Sequence, residues 1–318
     1  MTYNLTIRKY NEVYVKISCE KHIAQELSEY FTFFVPGYQF VPAFRNRIWD
    51  GKIRLFNLKN YLIYSGLLSY IEEFCQEREY TFEYDETRAN IEDEFSTYKA
   101  KKFADSLNLQ SRNIPIEVRD YQIDAFVHAM QRKKCLLLSP TASGKSLIIY
   151  LLYRQFLDYQ GLKGLIIVPT TSLVEQMFTD FKSYGYDSDE YCHRQYSGKE
   201  KHTNKFLTIT TWQSIYKNEP EYFEQFDFVL GDEAHQFKAK SLTTILSGCV
   251  NSKYRIGTTG TLDGTQTHKL VLEGLFGPVY RATSTAELIE KGQLASFRIK
   301  CLILKYPDAL CKQAKDWD

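Results

Sequence analysis

The chain has 318 residues, room for two domains and the start of a third. Its 44% apolar and 25% charged residues exclude a disordered or fibrous chain, and a net charge of +1 excludes a polycation, so affinity for nucleic acid has to come from a local patch. Seven dispersed cysteines without paired spacing argue against a disulfide framework or a zinc ligand set and predict reduced thiols in a cytoplasmic setting, while no apolar run approaches the roughly 20 residues that span a bilayer and residues 1–15 carry no apolar leader core.

Residues 1–110 read as a small α+β unit. Apolar alternation over 4–17 (Leu5, Ile7, then Val13, Val15, Ile17) predicts a hairpin of half-buried strands. Ile23, Leu27, Tyr30 and Phe31 have helical spacing within 20–34. Residues 52–56 and 61–64 read as a second hairpin around Asn60. The segment 65–76 reads as a helix with Leu67, Leu68, Ile71 and Phe74 on one face. The strongly acidic run 72–94, opposed by Arg78 and Arg88, reads as a solvated face.

From residue 116 the rhythm changes. Apolar strands at 135–138, 165–168, 206–210, 228–230 and 254–258 alternate with helices at 146–156 and 173–184. That alternation predicts a parallel sheet with crossover helices, an α/β domain over 111–293. A helix is expected at 281–292 and a strand at 297–305, within a linker and the start of a further domain at 294–318.

Polar signatures stand at the predicted strand ends, where open parallel sheets bind ligands. The first is the string Ser139-Pro140-Thr141-Ala142-Ser143-Gly144-Lys145-Ser146. Gly144 lets a phosphate approach the backbone without a Cβ, and the helix start behind it offers unpaired N–H groups. Lys145 is placed to reach the β- and γ-phosphates of ATP, and Ser146 to ligate Mg²⁺. Ser139 replaces the usual first glycine of such loops. The second string is Asp232-Glu233-Ala234-His235, after the apolar run 228–230. Asp232 suits Mg²⁺, Glu233 suits activation of the attacking water, and His235 suits reporting γ-phosphate occupancy to a neighbouring loop. Gln122, in Arg119-Asp120-Tyr121-Gln122, is the candidate for an adenine contact. Pro169 and Thr170, Thr211 and Trp212, and Thr259 and Thr261 mark three further strand ends with small hydroxyl residues. Such groups hold a sugar–phosphate chain without reading bases.

A separate patch lies between Tyr38 and Lys59. Arg45, Arg47, Lys52, Arg54 and Lys59 face only Asp50, and Tyr38, Phe40, Phe44, Trp49 and Phe56 are interleaved with them. Guanidinium groups bind phosphate and aromatic faces stack on unpaired bases, so Arg45, Arg47, Trp49, Lys52 and Arg54 are candidates for nucleic-acid contact. The competing reading makes the aromatics a small core and the arginines surface filler.

Residues 116–300 resemble the first RecA-like motor domain of superfamily 2 helicases, carrying RDYQ, SPTASGKS, IIVPTTSLVEQM, TITTWQSI, VLGDEAH and RIGTTGTL in order. Leu262 after Thr261 resembles the XPB-like and phage recombination branches. The stretch 37–56, GYQFVPAFRNRIWDGKIRLF, resembles the N-terminal domain of UvsW-type phage helicases. The resemblance implies a P-loop NTPase with ATP and Mg²⁺ as cofactors and DNA as partner, acting on forks and recombination intermediates in a host-cell cytoplasm. It implies ATPase roles for Lys145, Asp232 and Glu233, and an adenine contact for Gln122. Thr170, Thr211 and Trp212 would lie on the nucleic-acid track, and Thr259 and Thr261 would couple hydrolysis to movement. No arginine motif follows Leu262, so the expectation is that a second RecA-like domain, in a longer chain or another one, completes the site. An RNA helicase, a restriction-system motor or a non-catalytic DNA-docking module are the alternatives.

Overall fold

The computed structural model describes residues 3–85, 95–111, 113–198, 200, 203–236, 239–262, 265–296, 300–303 and 305. Residues 1–284 form one compact unit and 285–318 a second. Helix Thr285–Glu290 is the regular element described in the second unit. Most of the segment 294–318, and residues 297–299 of its expected strand, lie outside the described residues, and 300–303 and 305 carry no regular structure. The acidic run is described only as far as Asp85.

The first unit is built on a seven-stranded sheet in the order Cys192–Gln195, Leu207–Thr211, Gly164–Val168, Phe228–Gly231, Tyr254–Thr259, Lys134–Leu138, Val279–Arg281. Every pairing is parallel. Both faces are covered, so its strands read as continuous apolar runs whose alternate residues enter different cores. Leu137, Ile166, Val168, Phe228 and Leu230 pack with helices Asp120–Arg132, Lys145–Gln160 and Thr171–Ser183. Leu136, Leu165, Ile167 and Val229 face the opposite core, with Leu242 and Ile245 from helix Ala239–Gly248 and Leu272 from helix Gln266–Phe276.

Two strands of this sheet escaped the sequence reading. Cys192–Gln195 is CHRQ, too polar to stand out, and is an edge strand. Val279–Arg281 lies at the other edge, beside Lys134–Leu138, where the sequence suggested the start of a helix.

The N-terminal sheet has the order Leu62–Tyr64, Tyr14–Cys19, Leu5–Lys9, Phe82–Asp85. The expected hairpin at 4–17 forms, with Ile7 opposite Ile17. The hairpin expected around Asn60 is reduced to a turn closed by one antiparallel bridge, Asn57 to Leu62. Lys52–Arg54 instead pairs with Thr32–Phe34, and Leu62–Tyr64 pairs with Tyr14–Cys19. The reason is distal pairing: Phe33 and Ile53 reach the core only if these strands lie side by side, which local spacing does not reveal.

This sheet and the large sheet share a core, since Leu5, Ile7, Ile63 and Phe74 belong to the same buried cluster as Leu136 and Val229. Helix Thr97–Ser106 adds Ala100 and Phe103 to the other motor core, so packing is continuous across residue 110. A Cβ on Gly66 would stand 1.9 Å from the Glu273 carbonyl oxygen, a measure of how closely the two backbones meet. The Tyr70 hydroxyl donates to the Glu273 carboxylate at 2.6 Å. Lys134 Nζ lies 3.1 Å from a Glu12 carboxylate oxygen and donates to the Glu12 carbonyl at 2.7 Å. Burial pulls the Lys134 ammonium down to about 8, against the pull of Glu12 in the other direction. Among the described residues no helix is long and apolar enough to cross a membrane.

Arg255 sits beneath the large sheet, 1% exposed. Its guanidinium donates to the carbonyls of Leu246 (2.9 Å), Cys249 (3.0 Å) and Leu275 (2.8 Å), at the C-terminal ends of helices Ala239–Gly248 and Gln266–Phe276. A cation there meets the negative ends of two helix dipoles. Arg255→Met removes all three bonds and leaves the Cys249 carbonyl with Ser252 N alone, at about 1–3 kcal/mol for each acceptor left unsatisfied. The expected loss in urea denaturation is roughly 3 kcal/mol or more. A loss below about 1 kcal/mol would show that these carbonyls find other donors.

Candidate nucleotide site and nucleic-acid cleft

The parallel register brings the ends of Lys134–Leu138, Phe228–Gly231 and Tyr254–Thr259 together. The loop after Lys134–Leu138 turns through two residues with positive φ, Ala142 (64°) and Gly144 (79°). It is braced from inside: the Ser139 and Ser143 hydroxyls are 2.7 Å apart, and the Tyr121 hydroxyl donates to the Ser143 carbonyl at 2.6 Å. Gly144 caps helix Lys145–Gln160, whose first N–H groups face the loop.

Gln122 lies behind this loop, 3% exposed. Its Oε1 accepts from Arg119 N at 2.9 Å, and its Nε2 donates to the carbonyls of Ser143 (3.0 Å) and Gly144 (3.4 Å). Both ends of the amide are therefore committed, and a contact with adenine requires it to exchange partners. A Cβ on residue 144 would stand 2.4 Å from Gln122 Nε2.

Lys145 Nζ lies 3.0 Å from Glu233 Oε1, and both side chains are largely buried. Asp232 is 7% exposed, and its Oδ1 accepts from the Thr258 hydroxyl at 2.6 Å and from Glu233 N at 2.9 Å. Burial is the largest influence on Asp232 and raises its pKa above the usual carboxylate value; Glu233 adds to the rise, while Thr258 and Lys145 oppose it. Glu233 itself holds a positive φ of 49°, a conformation that costs a non-glycine residue energy and is found where geometry is over-determined.

His235 extends the network. Its Nδ1 lies 2.7 Å from the Thr259 hydroxyl, which donates its single proton to the Thr261 carbonyl at 2.7 Å. Nδ1 must therefore carry the hydrogen of the His235–Thr259 bond. A Cβ on Gly260 would stand 3.6 Å from Thr141 N and 3.7 Å from Lys145 Nζ, so the 258–262 turn lies against the phosphate loop.

Ser146 and Asp232 suit a divalent cation. Asp180 lies near Ser146: burial raises the pKa of its carboxyl, while the Ser146 hydroxyl and Gln176 lower it. Sequence reading missed Asp180, because nothing in the string around it distinguishes it from an ordinary helix acid. It likewise missed the brace from Tyr121 and the bond from Thr258.

A second cleft, about 620 Å³, opens along the same edge. Pro169, Thr170 and Thr211 line it, together with Gln213 and Ser214. Gln195, Tyr196, Ser197 and Gly198 form its other wall, a segment that follows the unrecognised edge strand. Thr170 also caps helix Thr171–Ser183 through Leu173 N at 3.3 Å. Trp212, between Thr211 and Gln213, is half-buried, packs against the core that holds Leu136 and Val229 and against Tyr216, and does not itself line the cleft. In the N-terminal patch, Phe56 is buried, and Tyr38, Phe44 and Trp49 are half-buried. Phe56 therefore belongs to the core, whereas Tyr38, Phe44 and Trp49 keep part of their surface open and Phe40 is 74% exposed; Arg45, Arg47 and Arg54 are exposed and Lys52 is half-buried.

Comparison with known proteins fits this architecture. A family model described as DNA helicase UvsW, N-terminal, matches residues 3–85, and one described as Type III restriction enzyme, res subunit, matches residues 115–264. The crystal structure of the UvsW helicase from bacteriophage T4 superposes with a TM-score of 0.80 at 33% identity, covering 87% of this chain and 99% of that one. The chain belongs to the UvsW family. Among curated proteins, this UvsW-family chain is 35% identical to the ATP-dependent DNA helicase uvsW of Enterobacteria phage T4 over 95% of its length. It is 27% identical to the DNA 3'-5' translocase XPB2 of Sulfurisphaera tokodaii over 67% of its length. It spans 61% of the first relative and 48% of the second. The seven-stranded parallel sheet is the RecA-like fold of the family.

Gly144→Ala tests the packing of the phosphate loop in this UvsW-family chain. The added methyl meets Gln122 in a backbone conformation that disfavours it. Affinity for a fluorescent ATP analogue is expected to fall at least tenfold, roughly 1.4 kcal/mol. Unchanged affinity would mean that the loop opens away from Gln122 before nucleotide enters.

Proposed function

We propose that this chain is the nucleotide-binding and DNA-docking portion of an ATP-driven DNA helicase that works on branched DNA, such as forks and recombination intermediates. The observation that carries the reading is the 3.0 Å pair between Lys145 and Glu233 beside buried Asp232, on the same sheet edge as the cleft at Pro169, Thr170 and Thr211. The match of residues 3–85 to a DNA-helicase N-terminal model favours DNA over RNA.

In this reading the phosphates of ATP seat on the N-terminal N–H groups of helix Lys145–Gln160, with the loop 141–144 wrapped around them. Lys145 turns from Glu233 to the β- and γ-phosphates. The displaced Glu233 carboxylate then orients a water toward the γ-phosphorus and takes its proton. Ser146 and Asp232 would hold Mg²⁺, which supplies charge neutralisation between the phosphates. Gln122 trades a loop carbonyl for the adenine. His235 and Thr259 pass the change in Glu233 to Thr261 and the 258–262 turn.

Pro169, Thr170 and Thr211 contact the sugar–phosphate backbone of the tracked strand. Trp212 supports this wall from the core. Arg45, Arg47, Lys52 and Arg54 hold a second arm of the junction. A second RecA-like unit, on this polypeptide or another, contributes the arginines that stabilise the transferring phosphoryl group, an effect worth roughly 10³–10⁵ in rate in related NTPases. The working division is a DNA-binding part within residues 1–110 and a motor part within 111–293, and the setting is the host-cell cytoplasm.

Lys145→Ala is expected to lower DNA-stimulated ATP hydrolysis at least about 100-fold. It should retain salt-dependent binding to a DNA fork through the N-terminal patch. Equal loss of both activities would contradict the division of labour. Tighter binding to the RNA counterpart of the fork would favour an RNA helicase. Absence of hydrolysis on every DNA substrate, even when the second RecA-like unit is supplied, would favour a docking module.

A further inference from the structure

The segment 35–51 joins strands Thr32–Phe34 and Lys52–Arg54, which pair with each other as a separate two-stranded sheet. Its ends are tied by the bond from Val35 N to the Gly51 carbonyl at 2.9 Å. Inside the tie the loop is packed by its own rings. Phe34 stacks on Tyr38 with centroids 4.8 Å apart, and Tyr38 meets Phe44 edge-on at 4.7 Å. Trp49 is pinned by its indole N–H, which donates to the Lys52 carbonyl at 3.0 Å. Compact closed loops of this kind are frequently functional.

The packing leaves a cleft of about 750 Å³, walled by Gln39, Phe44, Arg45, Arg47, Ile48 and Trp49. Asp50 also borders it, but its carboxylate is bound by Arg54 and by Lys52 N. The Arg45 guanidinium donates to the Gln39 carbonyl, and among the described residues neither Arg45 nor Arg47 has a recorded acidic partner. Ile48 is 79% exposed, a large apolar side chain in a cleft wall that also carries the two arginines. An ordinary surface loop gains nothing from exposing isoleucine there. Nucleic acid offers both complements at once: phosphates for the arginines and apolar base faces for the ring floor and the isoleucine.

We propose that this cleft is a nucleobase pocket that receives one unpaired base at the branch point of a DNA junction. Phe44 and Trp49 stack on the base, and Arg45 and Arg47 grip the flanking phosphates. Ile48 wedges against the opened step, as apolar side chains do where proteins unstack DNA. The proposal rests on the DNA-processing reading above and adds to it a site that distinguishes a junction from a plain duplex.

The test is the affinity of the full chain for a three-way DNA junction with one unpaired thymine at the branch, against the same junction with an abasic residue there. The base is expected to tighten binding roughly five- to hundredfold, the range of one base–aromatic stack. Ile48→Ser with Trp49→Leu should abolish the preference, and Trp49→Phe should restore most of it in the Ile48 background. Arg45→Gln with Arg47→Gln should weaken both junctions alike and flatten the salt dependence. Equal wild-type affinity for the two junctions, or a preference that survives Ile48→Ser with Trp49→Leu, would overturn the pocket while leaving the helicase reading intact. Failure to bind either junction would overturn that reading itself.

Discussion

Parallel strand pairing is the constraint on which the rest depends. In a parallel ladder every strand ends on the same side, so segments distant in sequence must meet at one edge. Gly231 lies opposite Gly257, and Leu138 opposite Thr259. Those registers put the turns after residues 138, 231 and 259 beside one another. Once they meet, Lys145 finds Glu233, Thr258 finds Asp232, and Thr259 finds His235. None of these contacts is local, and a slip of one residue in any strand would turn the participating side chains to the opposite face.

The same strands carry the load at their other ends. Lys134 opens the strand that runs into the phosphate loop, and it is held by Glu12 and Ser65 of the N-terminal sheet. Arg255 follows Tyr254 at the start of the next strand and ties the ends of two helices. A cation is poorly solvated in both places, so each is tolerated only because carbonyls or a carboxylate replace water. Charge below the sheet fixes the strands, and charge above it forms the site. The N-terminal sheet is thereby joined to the strand that presents the phosphate loop.

Much of the candidate site was legible in the string because its chemistry is compressed into short motifs. A loop of small residues before a lysine and a helix, and an acidic pair after an apolar run, need only local geometry to be recognised. The unread residues act through space. Asp180 reaches Ser146 from another helix, and Gln122 turns out to brace the loop from behind. The edge strand Cys192–Gln195 was hidden because an edge position tolerates polar residues, and with it the wall formed by Tyr196 and Gly198. The hairpin expected near Asn60 shrank for the opposite reason: the local turn forms and bridges Asn57 to Leu62, but the strand Lys52–Arg54 before it pairs with Thr32–Phe34.

By itself, the sequence determined the alternation of strand and helix, the small-residue loop 139–146 ahead of a helix and the concentration of arginine and aromatic residues between Tyr38 and Lys59, since these follow from periodicity and residue chemistry. Only the tertiary structure decided which rings of that patch are core and which side chains border an open cleft, that Trp212 packs inward, and that Lys145 is paired with Glu233. Burial and pairing are properties of neighbours brought together by the fold, and a linear string records neighbours only along the chain.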